Sequence, residues 1–275
     1  MLLLGCDFSS APTRRKAIVV ATGSLDESGR SLRLDELIRF ATLDAWSDWL
    51  AAQPVWIGAF DFPFGLPREL VEQLGWPTAW PELIAHYAAL ERSEIRRLFA
   101  AFCAARPAGA KFAHRATDGP AGSSPSMKWV NPPVAYMLHA GVPRLLAAGA
   151  VFPGLQVPQQ ASGLAGRVAL EGYPGLLARE LIGRRSYKSD DKARQTEERR
   201  MTRADLAARL ARGETRLAIS LDATPAQIER LLDDASGDAV DALLCLVQAA
   251  WASQRAPGFG LPVAIDPLEG WIVTA

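Results

Sequence analysis

The spacing of apolar residues changes several times along the chain, and each change predicts an element. Residues Leu2 to Phe8 form a short apolar run with Asp7 near its end, the pattern of a buried central strand. Lys16 to Thr22 is a second β-rich run, closed by the turn-like Gly23-Ser24. The polar stretch 26–30 then leads to a third strand within Ser31 to Phe40. Three strands joined by short polar turns predict an antiparallel meander. Leu43 to Ala52 places Trp46, Trp49 and Leu50 at helical spacing, and Gln53-Pro54 stops that helix. Val55 to Phe60 is a fourth strand, and Asp61 follows at its carboxyl end.

Beyond Phe62-Pro63-Phe64, whose proline cannot donate to a sheet ladder, the period becomes helical. Pro67 to Pro107 reads as helix with breaks near Trp76-Pro77 and Trp80-Pro81. Residues 108–127 read as a Gly- and Pro-rich loop, and Asn131-Pro132 opens a helix over Val134 to Ala148. Residues 67–165 are therefore expected to be a mostly helical insertion within a single domain spanning 1–275. Arg167 to Leu170 is a short strand leading to Glu171, and Pro174 to Gly183 is a helix. Residues 184–212 carry ten Lys or Arg against five acids, a local excess of five positive charges. Helices are predicted over Thr224 to Asp234 and over Gly237 to Arg255, the second with a strongly apolar face turned to the sheet. Gly270 to Ala275 is expected to be a terminal strand. The alternation of strands and helices specifies an α/β fold.

Composition narrows the function classes. The formal net charge is zero, which argues against a generally basic nucleic-acid coat protein while leaving room for a local basic patch. Cys6, Cys103 and Cys245 are scattered in apolar stretches and read as core residues in a reducing compartment. Met1 to Cys6 superficially looks like a lipoprotein cleavage site, but its apolar run is far shorter than the ~7–15 residues a signal needs. No apolar stretch reaches the ~18 residues of a membrane span, so a cytoplasmic protein with no membrane partner is expected.

The acids carry the candidate chemistry. Asp7 lies in a strand, a costly place for a charge without a partner. Asp61 repeats the arrangement after the fourth strand, and two such strands can deliver both acids to one sheet edge. Asp238 and Asp241 are three residues apart and share a face of the last long helix. Like charges ~4 Å apart repel by about 4 kcal/mol at an effective dielectric of about 20, so convergence of these acids calls for cations. Oxygen ligands without Cys or His favour Mg²⁺ or Mn²⁺. A turn or cap role accounts for each Asp alone, but not for Asp241 inside an apolar helix.

That order of acids resembles the RNase H-like fold, and within it the Holliday-junction resolvases at a distance. The nearer resemblance is to a domain-of-unknown-function family described as predicted RNase H-like nucleases. It rests on Gly5-Cys6-Asp7, on Phe60-Asp61-Phe62-Pro63-Phe64-Gly65-Leu66-Pro67 and on Glu171-Gly172-Tyr173-Pro174. It extends to Ser186-Tyr187-Lys188, Gly237-Asp238-Ala239-Val240-Asp241-Ala242 and Glu269-Gly270-Trp271-Ile272. The resemblance implies a mixed five-stranded sheet flanked by helices, with the helical insertion after the fourth strand. It also implies a metal-dependent nuclease whose ligands are Asp7, Asp61, Asp238 and Asp241. The resolvases usually carry Glu on the fourth strand, where this chain has the shorter Asp61.

Other residues support this reading or stand apart from it. Glu171 is either a fifth acid at the catalytic site or the anchor of a basic residue. Lys188 is either a phosphate contact that also neutralises the acids or a solvated surface lysine. Arg115, Lys128 and His114 on the glycine-rich loop are candidate substrate contacts, with His114 as a proton shuttle or simply an exposed histidine. Trp129 is a candidate for base stacking. Two further functions remain open. One is a kinase-like phosphotransferase of the same fold superclass, disfavoured because Asp7-Phe8-Ser9-Ser10 lacks a glycine-rich phosphate loop. The other is a non-catalytic module binding nucleic acid or protein. The nucleic acid itself and homodimer formation are left open.

Overall fold

The computed structural model describes residues 1–156 and 166–275, so the last nine positions of the expected insertion lie outside the described residues. The meander forms as the alternation dictates. Strands β1 (Leu2–Asp7), β2 (Ile18–Leu25) and β3 (Ser31–Phe40) pair antiparallel. Helix α1 (Leu43–Ala52) is capped by the Thr42 side chain and leads to β4 (Trp56–Phe60), which returns parallel to β1.

A helical run follows β4: α2 (Arg68–Gln73), α3 (Trp80–Ala88), α4 (Arg92–Ala104), the single turn α5 (Asp118–Ala121) and α6 (Val134–Ala147). Trp80-Pro81 begins α3 rather than breaking it, because a proline in the first turn has no hydrogen bond to lose. After the two-residue β5 (Ala150–Val151) come β6 (Arg167–Glu171), α7 (Pro174–Ile182) and α8 (Glu197–Ala211). The chain ends through β7 (Ser220–Asp222), α9 (Pro225–Asp233) and α10 (Asp238–Ser253).

Among the described residues the sheet has seven strands in the order β5-β6-β4-β1-β2-β3-β7. Five were expected; the two short edge strands β5 and β7 extend it, each paired parallel to its neighbour. Residues 270–275 do not form the expected strand. Positive φ at Gly270 and Thr274 (71° at each) interrupts the extended backbone, leaving one parallel bridge between Glu171 and Ile272.

Side-chain alternation splits the core across the sheet. Leu4, Cys6, Ile18, Val20, Trp56 and Phe60 pack against α1 and the helices after β4. Leu3, Val19, Ala21, Ile57 and Ala59 pack on the other face against α7 to α10. Gly5 sets the approach of α10: a Cβ there would lie 2.0 Å from Leu246 N and 2.2 Å from Ala242 O. Only a glycine lets the helix backbone rest on the strand. Three buried cysteines are free thiols. No described helix is long and apolar enough to cross a membrane.

Candidate metal centre

The strand register brings the first two acids side by side. Cys6 pairs with Phe60 across the parallel β1–β4 ladder, and the next N–H, that of Asp61, donates to Cys6 O at 2.9 Å. Asp7 and Asp61 thus leave adjacent strands at the same carboxyl-terminal edge. Asp7 continues the face of Leu3 and Gly5, the face covered by α10. Asp238 and Asp241 occupy the first turn of α10, where the helix dipole favours negative charge, and both side chains are buried. One cleft is lined jointly by Asp7, Asp238, Asp241, Lys16, Lys188 and Asp190. Asp61 lies round the corner of Lys188, lining the two clefts beyond it.

The acids are held at a cost. Burial raises the Asp7 carboxyl well above its usual range, and repulsion from Asp241, Asp238 and Asp61 adds to the shift. Asp61 is pushed up to about 7, first by burial and then by Asp241. Burial also raises Asp241, with Lys188 and Tyr187 opposing it. Two lysines answer the charge. Lys188 Nζ donates to Asp241 Oδ2, while the Tyr187 hydroxyl donates to Asp241 Oδ1. Lys16 Nζ donates to Asp238 Oδ1 at 3.0 Å and to Asp190 Oδ1 at 2.9 Å. Burial opposes the charge on both lysines, but their acidic neighbours outweigh it and raise both pKa values.

One acceptor is left over. Asp238 Oδ2 is buried without a hydrogen-bond partner, and Arg39 Nη2 stands 3.8 Å away, beyond hydrogen-bond reach. With all four acids ionised, four negative charges face two ammonium groups and the Arg39 guanidinium, a deficit of one, and Asp190 shares Lys16. The donor set is all oxygen and suits a hard divalent cation. Among the described residues, no three His, Cys, Asp or Glu side chains form a ready-made ligand cage. The lysines and Tyr187 hold the oxygens that a metal would take.

The segment carrying Lys188 is fixed from behind. Ser189 N donates to Ala235 O at 3.1 Å, and buried Arg203 donates to Tyr187 O at 2.7 Å and Leu232 O at 2.8 Å. Gly237, at φ 79°, clears space for Lys188, whose Cβ would lie 2.5 Å from an added methyl.

Of the remaining expected site residues, Glu171 and Arg115 line one of the clefts that Asp61 lines, and His114, Lys128 and Trp129 lie elsewhere. Glu171 is the anchor of a basic residue: it accepts two hydrogen bonds from Arg115, at 2.6 and 2.7 Å, and one from Phe64 N at 3.0 Å. Arg115 also bonds Asp118 and Glu269 O, and its side chain is 1% exposed, so its guanidinium is held by protein acceptors on every side. His114 is exposed and lines a separate cleft with Arg106 and Lys111. Lys128 donates to Asn131 O within its own loop, and Trp129 packs on Phe112. Neither Lys128 nor Trp129 lines a cleft shared with the acids.

Lys16, Tyr187, Arg39 and Asp190 are the contributors that the sequence reading did not single out. For Lys16 a signal existed: antiparallel pairing sets Val19 opposite Asp7, so the residues just before β2 must run past the acid.

Comparison with protein-family models, curated proteins and solved structures finds no significant match.

Proposed function

We propose that the chain is an RNase H-like nuclease that hydrolyses phosphodiester bonds in nucleic acid with bound Mg²⁺ or Mn²⁺. This reading is carried by the buried Asp238 Oδ2, which accepts no hydrogen bond, among carboxylates whose charge two lysines and Arg39 leave uncompensated. The sheet supports it: within the seven strands, β3-β2-β1 run antiparallel and β4 and β6 follow parallel to β1, with acids leaving β1 and β4 and lying on the last long helix. Asp7, Asp61, Asp238 and Asp241 would hold the metal. When bound, it would supply an activated water and offset charge on the phosphate. Lys188 and Lys16 flank the acids and are suited to hold the strand's phosphates beside them.

Labelled single-stranded, hybrid and junction substrates, incubated with Mg²⁺, Mn²⁺ or EDTA beside Asp7→Asn, test this reading. Metal-dependent cleavage lost in the variant supports it. ATP turnover without cleavage, or nucleic-acid binding without turnover, would replace it with a phosphotransferase or a binding module. Thermal melting provides a second readout, since Mn²⁺ should stabilise the wild type and not the variant.

A further inference from the structure

Two clefts meet at Asp61 and Lys188 and share Tyr173 as a wall. Beyond these shared residues their linings differ. One has a volume of about 320 Å³ and is lined by Phe62, Val134, Met137 and Ile272, by Ser123 and Ser124, and by the Arg115–Glu171 ion pair. It is at the small end of the ~300–1,000 Å³ range of ligand pockets, large enough for one planar heterocycle and far too narrow for a duplex. The other holds Arg179, Arg185 and Lys188. Arg185 is paired with Asp205, whereas Arg179 donates to Ala121 O and has no carboxylate partner among the described residues. The Arg179 guanidinium stacks over the Tyr173 ring at 5.3 Å and donates to its hydroxyl at 3.3 Å. Tyr173 is itself fixed, its N–H donating to Gln248 Oε1 at 2.9 Å.

A slot that combines apolar walls with hydrogen-bonding side chains and a slot that adds two arginines, separated by one aromatic ring and both touching Asp61, match the two halves of a nucleotide. The geometry points to a subsite for a single unpaired nucleotide next to the scissile phosphate, with its base against Phe62, Val134 and Met137 in the first cleft and its phosphate toward Arg179. This rests on the nuclease reading and adds the substrate class: strands unpaired at the cut, such as single strands, flaps or gaps. A base within a continuous duplex is stacked and cannot enter such a slot. The wall residues Ser123, Ser124, Val134 and Met137 all come from the segment after β4, which gives that segment a role in choosing the substrate.

The test uses the full chain with Mn²⁺ and one sequence presented as single strand, flap and continuous duplex. Unpaired forms should be cut about tenfold faster or more, in line with the energy of stacking one base. Val134→Trp, which fills the slot, should lose most of that advantage while keeping the Mn²⁺-induced rise in melting temperature. Ser124→Trp in the same cleft serves equally if the first variant does not fold. Tyr173→Ala should raise KM for the single strand, and Tyr173→Phe should restore it. Equal rates on duplex and unpaired substrates, or a wild-type preference in both Trp variants, would overturn the subsite and leave the nuclease standing. Absence of cleavage on every substrate with every metal would remove both.

Discussion

Asp61→Asn should stabilise the metal-free protein at pH 8 and leave it nearly unchanged at pH 4. The Asp61 carboxyl is pushed up to about 7 by burial and by Asp241, against about 4 in an unfolded chain. Below pH 4 both states hold the proton, and the group contributes nothing. As pH rises from 4 to 7 the unfolded chain gives up its proton while the folded one keeps it, so stability falls across that window. Above 7 the full cost is present. About three pKa units correspond to ~4 kcal/mol at 1.36 kcal/mol each. Asp61 keeps some contact with solvent, so we take about half of that, ~2 kcal/mol. For a chain of this size that is a rise of roughly 4–8 °C in melting temperature. The assay is thermal unfolding of both proteins in EDTA from pH 4 to 9, read as the difference between them so that other titrating groups cancel. With Mn²⁺ at pH 8 the order should reverse, because the ion stabilises only the protein that keeps its ligand. An Asp61→Asn protein less stable than wild type at pH 8 in EDTA, or a difference independent of pH, would mean that the buried Asp61 charge costs the fold nothing.

Other expectations follow from the same contacts. Lys188→Met should destabilise the metal-free protein by about 1–2 kcal/mol, discounted because the lysine side chain is 44% exposed, yet tighten Mn²⁺ binding in calorimetry by removing its competitor for Asp241. Arg115→Leu should cost about 3–5 kcal/mol in denaturant unfolding, since it strands buried Glu171 and Asp118, and should leave the Mn²⁺ affinity of the folded protein unchanged. Gly5→Ala should cost at least about 1–3 kcal/mol by driving α10 off β1, and should abolish the Mn²⁺-induced shift because Asp238 and Asp241 move with the helix.

Much of the architecture was written in short-range pattern. Alternation in β1 sends Leu3, Gly5 and Asp7 to one face, and the apolar run of α10 required a sheet to lie on. Helix α1 matched its predicted limits because Thr42 caps it and Gln53-Pro54 ends it. The charged helix α8 escaped notice: its buried stripe of Thr202, Arg203, Leu206, Ala207 and Leu210 contains an arginine that is stable there only by bonding two carbonyls. Strands β5 and β7 are too short to carry a period. Strand order and helix spacing foretold that Asp7, Asp238 and Asp241 share one cleft, while Asp61 lines the clefts beyond Lys188. The partners of Glu171 and Asp238 were not legible, because Arg115 and Lys16 reach them through loops whose course depends on tertiary packing. The same uncertainty of loop course carried His114 to a different cleft.

A crystal soaked in Mn²⁺ and recorded at the manganese edge tests the central claim most directly. An anomalous peak is expected among the Asp7, Asp61, Asp238 and Asp241 carboxylates that would hold the ion, with the Lys188 ammonium withdrawn from Asp241. Full soaking that leaves both lysines on their aspartates, with no peak among them, would contradict it.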